Sequence, residues 1–231
     1  LVADRKPYSI DTFVNNRIQD LTSYQNAAYA NRYKTLIDRV RQVEGLIVPK
    51  SQKLLEAVAK SAYKVMAYKD EYEVARLHSD EAFRAKLDAQ FTGNYSVRFH
   101  LAPPLLSRAD PKTGKVKKVE FGPWLMPMFR LLAKLKWLRG TRWDVFALSS
   151  ERRQEREDLA RYQADLVEVC DRLAPHNYQA ALKLMKLPET LRGYGHVKAR
   201  NREALLAARV QLLGELHGNT QYVEVIHNSE A

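Results

Sequence analysis

Three carboxylates close together in the sequence are the first candidates for chemistry. Asp70, Glu71 and Glu73 lie within four residues of one another. Carboxylates so placed could act as a general base or bind a metal ion, yet helical geometry puts Glu71 on a different flank from Asp70 and Glu73. Arg76 follows Glu73 by three residues, and Lys69 precedes it by four. We therefore predict a structural ion-pair network formed by Lys69, Glu73 and Arg76, because residues at these spacings face each other on a helix.

A glycine-containing turn is the second candidate, because it could bind phosphate. Gly193 and Gly195 flank Tyr194, and Lys198 and Arg200 follow shortly after. Backbone amides at a helix start, together with nearby cations, form a common anion site. The pattern lacks G-x-G-x-x-G, a preceding strand and a lysine–serine pair of the Walker type. A plain turn between helices is favoured, and a site for a phosphorylated ligand such as coenzyme A is the alternative.

A lysine-rich loop is the third candidate, and it would suit an acidic partner. The loop carries Lys112, Lys115, Lys117 and Lys118, and the whole chain has a net charge of +11. Such a balance favours nucleic acid, anionic lipid or an acidic protein as a partner. Elsewhere lysine and arginine are interspersed with glutamate and aspartate, which is typical of a solvated helix surface. The solvated surface is favoured, and a basic module that binds nucleic acid through this loop is the alternative.

Single residues with chemical potential lack the partners that catalysis requires. His100 has no nucleophile beside it, so a hydrogen-bonded structural histidine is predicted. Cys170 is the one cysteine, which excludes a disulfide within the chain and a site with several thiolate ligands. We expect no metal or cofactor in this segment and a reducing, cytoplasmic location. The most apolar stretch is interrupted by Arg130, Lys134 and Lys136, so no membrane span is predicted.

The elements that must hold these residues are mostly α-helical in the sequence pattern. Nine glycines and nine prolines in 231 residues are few, and apolar residues recur at three- and four-residue steps. We predict a mainly α domain of about six to eight helices, single over residues 1–231, with a small β-hairpin or short-strand insertion around residues 95–121. The pattern places one long helix from Ser9 to about Glu44, ended by Gly45. Further helices are predicted over 51–72, 81–90, 124–138, 149–173, 177–186 and 196–216.

The stretch over residues 99–141 organises this arrangement. Residues 95–101 alternate polar and apolar side chains and should pair with residues 116–121 as a hairpin. A glycine–proline pair then breaks the chain, and Trp124 opens a helix, because proline is well tolerated in a helix's first turn. We predict that Trp124 is a buried anchor at this turn. Further core or interface anchors are predicted at Trp137 and Trp143.

Five sequence words, far apart along the chain, resemble one known family. They are KDEYEVARL (69–77), FHLAPPLL (99–106), FGPW (121–124), LRGT (138–141) and LRGYGHVKARN (191–201). Over residues 24–201 the chain resembles the C-terminal region of the long, fused indolepyruvate ferredoxin oxidoreductases. It departs from that pattern after Thr141, where RWDVFALSSERR (142–153) replaces a turn richer in proline and glycine.

The resemblance implies a parent enzyme that oxidatively decarboxylates 2-oxo acids, here aryl pyruvates, to acyl-coenzyme A and passes the electrons to ferredoxin. It also implies that the parent holds thiamine diphosphate, Mg²⁺ and iron–sulfur clusters. One cysteine cannot bind such a cluster, and the sequence shows no acidic loop for the diphosphate. We therefore expect a non-catalytic segment, either excised from the C-terminal end of a larger enzyme or forming a separate subunit of it.

The expected role of the segment is structural. As a C-terminal accessory domain it would pack against the catalytic domains of the parent, help to form a homo-oligomer or cover the active-site approach. Nucleic acid is disfavoured as a partner. Beside the nucleic-acid module, the remaining alternative is a regulatory domain that binds coenzyme A or another phosphorylated ligand at the turn over 193–200.

Overall fold

A computed structural model describes residues 9–101, 118–193 and 196–218 of the chain. Within these ranges the fold is mainly helical with one two-stranded antiparallel hairpin, which confirms the predicted fold class. The elements are α1 Ile10–Tyr24, α2 Ala27–Ile47, α3 Lys53–Met66, α4 Glu71–Ser79, α5 Glu81–Gln90, β1 Phe99–Leu101, β2 Val119–Phe121, α6 Leu125–Lys134, α7 Ser150–Arg172, α8 Tyr178–Lys186 and α9 His196–Leu216. Short 3-10 helices cover Leu135–Leu138, Val145–Leu148 and Leu187–Thr190.

Packing divides the chain into two compact units. The first unit joins the residues up to Ala67 with those from Glu157 onward, and the second unit is Tyr68–Arg156. Helix α7 begins in the second unit and continues into the first. The division into units does not test whether the whole chain is a single domain, and that remains a prediction. None of the helices in the described ranges has the length and apolar character needed to cross a membrane.

The first unit packs α1, α2, α3, α8, α9 and most of α7 around one apolar core. Along α7 and directly after it, Tyr162, Leu166, Val169 and Leu173 are buried in that core. Tyrosine hydroxyls in this core have hydrogen-bond acceptors: the hydroxyl of Tyr33, for example, donates to the Ala59 carbonyl oxygen at 2.9 Å. A hydrogen-bond partner offsets the free-energy cost of burying the polar hydroxyl group.

The predicted single helix from Ser9 to Glu44 is wrong, because the chain forms two helices there. Ser9 does cap α1, accepting a hydrogen bond from the Thr12 amide at 3.2 Å. A second cap follows at Asn26, whose side chain accepts from the Tyr29 amide at 2.8 Å and begins α2. Asparagine is among the strongest N-cap residues, so it can restart a helix although the apolar period continues. Helix α2 also passes Gly45 and ends at Ile47.

A buried glutamate begins α3 from outside that helix. The carboxylate of Glu44 accepts hydrogen bonds from the amides of Leu54 and Leu55 at 2.9 and 2.8 Å, and from the hydroxyl of Tyr178 at 2.6 Å. It thereby occupies amides of the first turn, which have no partner inside the helix. Ser51, at the start of the predicted helix, shares a 2.7 Å hydrogen bond with Tyr178 and accepts from the Lys53 amide at 3.4 Å.

The second unit contains α4, α5, the hairpin and α6. Strand β1 pairs with β2 in antiparallel register, with Phe99 opposite Phe121 and His100 opposite Glu120. A small core below the hairpin consists of Ala75, Phe99, Leu125 and Phe129. The rings of Phe99 and Phe129 meet edge to face with centroids 5.1 Å apart. Two short strands are marginal alone, and here they are stabilised by packing on α4 and α6.

The predicted burial of Trp124 is wrong. Its side chain is 59% exposed, and Trp137 and Trp143 are also exposed, so none of them is a core anchor. Helix α6 starts one residue later and turns Leu125 and Phe129 into the core. Because Leu125 and Phe129 face the core, Trp124, one residue before Leu125, points away from it. The apolar arc of α6 is broad enough to include Trp124 as well as Leu125 and Phe129, so the sequence pattern alone did not indicate which part of the arc would be buried.

Candidate functional site

The predicted acidic cluster lies at the start of α4, and its first member holds an arginine. Asp70 is the N-cap of α4, and its Oδ1 accepts from the Glu73 amide at 2.8 Å. Both carboxylate oxygens also accept from the guanidinium of Arg139, one of them from Nη2 at 2.9 Å. Asp70 is only 3% exposed, and the Arg139 side chain is 7% exposed. The result is a buried, forked ion pair with a helix cap on the same carboxylate.

A second carboxylate fixes the turn that follows this arginine. Oδ2 of Asp144 accepts from the Gly140 amide at 2.8 Å, and its Oδ1 accepts from the Tyr72 hydroxyl at 3.2 Å. Asp144 also caps the 3-10 helix through the Phe146 amide at 3.2 Å. Burial, together with the adjacent Asp144 carboxylate, raises the pKa of the Tyr72 phenol well above its ordinary value. Tyr72 therefore stays a hydrogen-bond donor and cannot serve as a base at neutral pH.

An arginine at the start of α7 forms an ion pair with the carboxylate of Glu71. The Nε of Arg152 lies 3.4 Å from Oε2 of Glu71, and its Nη1 donates to Glu155. Its guanidinium also lies over the ring of Tyr68, 5.9 Å from the centroid. Burial raises the pKa of Glu71 above its ordinary value, and the Arg152 charge opposes that rise. Burial works against the charge of Arg152, yet the carboxylates of Glu155 and Glu71 raise its pKa overall.

The predicted network of Lys69, Glu73 and Arg76 is present as the Glu73–Arg76 pair. Arg76 donates from Nε and Nη2 to the two oxygens of Glu73, at 2.8 and 2.7 Å. Lys69 is exposed and makes no ion pair within the described ranges. It lies in the link between α3 and α4, because α3 ends at Met66 instead of running to Tyr72. Lys69 therefore has no helical neighbour at i,i+4.

This buried ion-pair cluster joins α4 to the segment that follows α6. Each acidic residue of the sequence motif has its own arginine, and Asp144 holds the turn between them. Guanidinium groups occupy the carboxylate oxygens of Asp70 and Glu73, so these two carboxylates are not available to bind a metal ion or a substrate. In the described part of the chain, no group of three histidine, cysteine, aspartate or glutamate side chains is arranged to hold a metal ion. The geometry is that of a structural lock.

The candidate phosphate turn is shaped by its own packing. Gly193 has φ of +92°, and a Cβ there would lie 2.7 Å from the Val197 side chain, so glycine is required. Lys198 is partly exposed and Arg200 is exposed, while Gly195 lies outside the described residues. The side-chain amide of Asn201 donates to the Arg192 carbonyl oxygen at 2.9 Å. These contacts account for the glycine as part of a turn between helices.

The remaining sequence candidates are placed as follows. Lys112, Lys115 and Lys117 lie outside the described residues, and Lys118 is exposed just before β2. His100 is exposed on the hairpin, with its Nε2 3.8 Å from the Glu120 carboxylate. Cys170 is buried in the core of the first unit, and burial raises the pKa of its thiol to about 11. The thiol is therefore protonated at neutral pH.

Comparison with known proteins assigns the chain to a family. A family model described as "Family of unknown function (DUF6537)" matches residues 10–211. The chain belongs to this family. Searches of the curated proteins and of the solved structures found no match. The residues matched to DUF6537 include both units and every member of the buried ion-pair cluster, so the lock lies inside the region that defines the family.

Sequence reasoning predicted Arg76 but missed the other two arginines of the cluster in this DUF6537 chain. Arg139 and Arg152 lie about 70 and 80 residues from the carboxylates that they contact. One signal for Arg139 was present: residues 121–143 contain five lysines and arginines and no aspartate or glutamate. Any buried cation from such a stretch must find its carboxylate elsewhere in the chain. No comparable signal marked Arg152, which lies among other charges.

Proposed function

We propose that this DUF6537 chain is a structural accessory domain of a 2-oxo acid:ferredoxin oxidoreductase that uses thiamine diphosphate and iron–sulfur clusters. The parent acts on indolepyruvate or related aryl pyruvates in the cytoplasm, releasing acyl-coenzyme A and reducing ferredoxin. The domain packs against the catalytic domains of that parent and contributes to its oligomer. It performs no step of the reaction and binds no cofactor.

The observation that carries the proposal is that sequence motifs far apart along the chain contact each other in the second unit. KDEYEVARL supplies Asp70 and LRGT supplies Arg139, and these two residues form the buried forked pair. FHLAPPLL supplies Phe99 and FGPW supplies Phe121, which lie opposite each other in the hairpin. Motifs whose residues contact each other depend on one another for stability. Their joint presence therefore supports one shared family resemblance over several unrelated similarities.

The chemistry of the cluster supports a structural role over a catalytic one. A base must be free to take a proton, whereas Asp70 and Glu73 are held by forked arginine contacts. An iron–sulfur cluster needs several thiolates, and the sequence has one cysteine, whose thiol is buried. What remains is a mainly helical fold with a buried ion-pair cluster, which suits a domain that supports its neighbours.

The proposal is tested on the parent enzyme with and without this segment. We expect the isolated chain to contain no stoichiometric iron or thiamine diphosphate and to show no indolepyruvate-dependent reduction of methyl viologen. We expect a parent that lacks the segment to retain bound cofactors but to lose its oligomeric state and most of its activity. Iron or activity in the isolated chain would contradict the structural role, and a truncated parent that assembles and works normally would contradict the accessory role.

A further inference from the structure

Helix α6 presents an apolar stripe on the side that faces away from its own core. Trp124, Met128 and Leu131 are 59%, 54% and 61% exposed, at spacings of four and three residues. These spacings place the three side chains on one face of the helix. Leu125 and Phe129 lie on a neighbouring face of the helix and are buried. Large apolar side chains grouped on one exposed face are the signature of an interaction surface.

Two cations border this stripe on one side. Arg130 and Lys134 are exposed and one helical turn apart, and neither forms an ion pair within the described ranges. The surrounding residues 121–143 contain no aspartate or glutamate. Arg142, also exposed, lies over the ring of Trp143 with 5.9 Å to the centroid. The flank of the stripe is therefore positive, and no carboxylate within residues 121–143 neutralises it.

The charge selects among the partners that could cover the stripe. A second copy would bring the same cations, again without carboxylates, into one self-complementary interface. A helix that lies on a membrane inserts one broad apolar face, but the broad face of α6 is already buried in the unit's own core. Tryptophan, methionine and arginine are the residue types enriched at the centres of protein interfaces. A protein surface with an apolar centre and an acidic border fits best.

We propose that the stripe of Trp124, Met128 and Leu131 docks on an apolar patch bordered by aspartate and glutamate on the catalytic part of the parent enzyme. This inference rests on the proposed function, and it assigns the face through which the domain packs. Arg130 and Lys134 pair with the acidic border and guide association, while the tryptophan fills a pocket at the centre. Interface energy concentrates on such central aromatic residues.

The apolar contact is tested by calorimetric titration of the chain into the separately produced catalytic part of the parent. We expect the double variant Met128→Asp/Leu131→Asp to bind at least tenfold more weakly than wild type. Leu46→Asp, at a position on α2 that is 74% exposed, is the matched control and should bind within twofold of wild type. All three proteins should keep the wild-type circular dichroism, because the substituted side chains are outside the core.

The charged contact is tested with Arg130→Glu/Lys134→Glu, with Lys183→Glu on α8 as control. We expect the double variant to weaken binding at least tenfold and to flatten its salt dependence, because rim charges mainly guide association. Lys183 is exposed on the other unit, and its substitution should leave binding within twofold of wild type.

The two proposals fail in different ways. Wild-type binding that the stripe variants leave unchanged would overturn the docking face and leave the accessory role standing. Absence of any binding to the catalytic part would overturn both. Wild-type binding to vesicles of phosphatidylcholine and phosphatidylserine, lost in the stripe variants, would overturn the protein partner in favour of a membrane. Sedimentation that shows a dimer lost in the same variants would overturn it in favour of a second copy.

Discussion

At the scale of single residues, Asp70 combines two roles that are usually separate. Its carboxylate caps α4 through the Glu73 amide and also holds the guanidinium of Arg139. Asp80 provides an internal comparison, because it caps α5 through the Ala82 amide from an exposed position. Asparagine caps helices about as well as aspartate, so substitution at both positions isolates the value of the buried ion pair.

We expect Asp70→Asn to lower the free energy of unfolding by about 3–5 kcal/mol, since it leaves the Arg139 charge buried without its partner. Asp80→Asn should cost roughly 0.5 kcal/mol or less, the range of an exposed position. Urea unfolding followed by circular dichroism measures both values. Equal, small losses in the two variants would show that the Asp70–Arg139 pair contributes nothing to stability.

Glu71 gives the cluster a defined dependence on pH. Burial raises its pKa above the ordinary value of 4.5, so the folded protein holds this proton more tightly than the unfolded chain does. The stabilisation by the bound proton is fully present below the unfolded pKa and is lost as pH rises through the folded pKa. We therefore expect wild type to lose stability relative to Glu71→Gln as pH rises from below 4.5 upward through the raised folded pKa.

The comparison uses urea unfolding of both proteins over that range, with Glu81→Gln on the exposed surface of α5 as a reference for general charge effects. A wild-type protein that instead gains stability over Glu71→Gln as pH rises would mean that Arg152 outweighs burial. In that case the folded carboxylate would be favoured as an anion, and the order of the two effects at this site would be reversed.

At the scale of elements, the sequence predicted those helices and strands whose start and pairing depend on neighbouring residues. Helix α5 covers the predicted residues 81–90, α7 begins directly after Ser149, which accepts from the Arg152 amide at 3.2 Å, and the hairpin pairs within the predicted segments. The break at Asn26 was not predictable from periodicity, because the apolar period continues through it. The buried face of α6 was not predictable either, because its apolar arc is broader than the part that the core covers.

The revised position of Trp124 leads to a paired prediction on α6. Phe129→Ala removes a ring from the small core of the second unit and should lower the free energy of unfolding by about 3–5 kcal/mol. Trp124→Ala removes a larger but exposed side chain and should cost roughly 0.5 kcal/mol or less. Chemical denaturation of the two variants decides the matter, and a larger loss for Trp124→Ala would show that the other face of α6 is the buried one.

At the scale of the whole molecule, the fold class and the acidic half of the cluster could be read from the sequence. The arginines that complete the cluster could not, because ion pairs between residues 69 or 81 positions apart have no local pattern. The division into two units was hidden for a related reason. The first unit is assembled from both ends of the chain, and α7 carries the helical pattern through the boundary without a break.

In the proposed role, the whole molecule supports the catalytic domains, so its effect is measurable only in the assembled enzyme. The most direct measurement adds the purified chain to a parent that lacks it, and follows molar mass by light scattering together with indolepyruvate-dependent viologen reduction. The account predicts a stoichiometric complex in which oligomer and activity both return, and a chain that contributes no iron or thiamine diphosphate of its own. A mixture in which the two proteins elute separately, with activity unchanged, would contradict it.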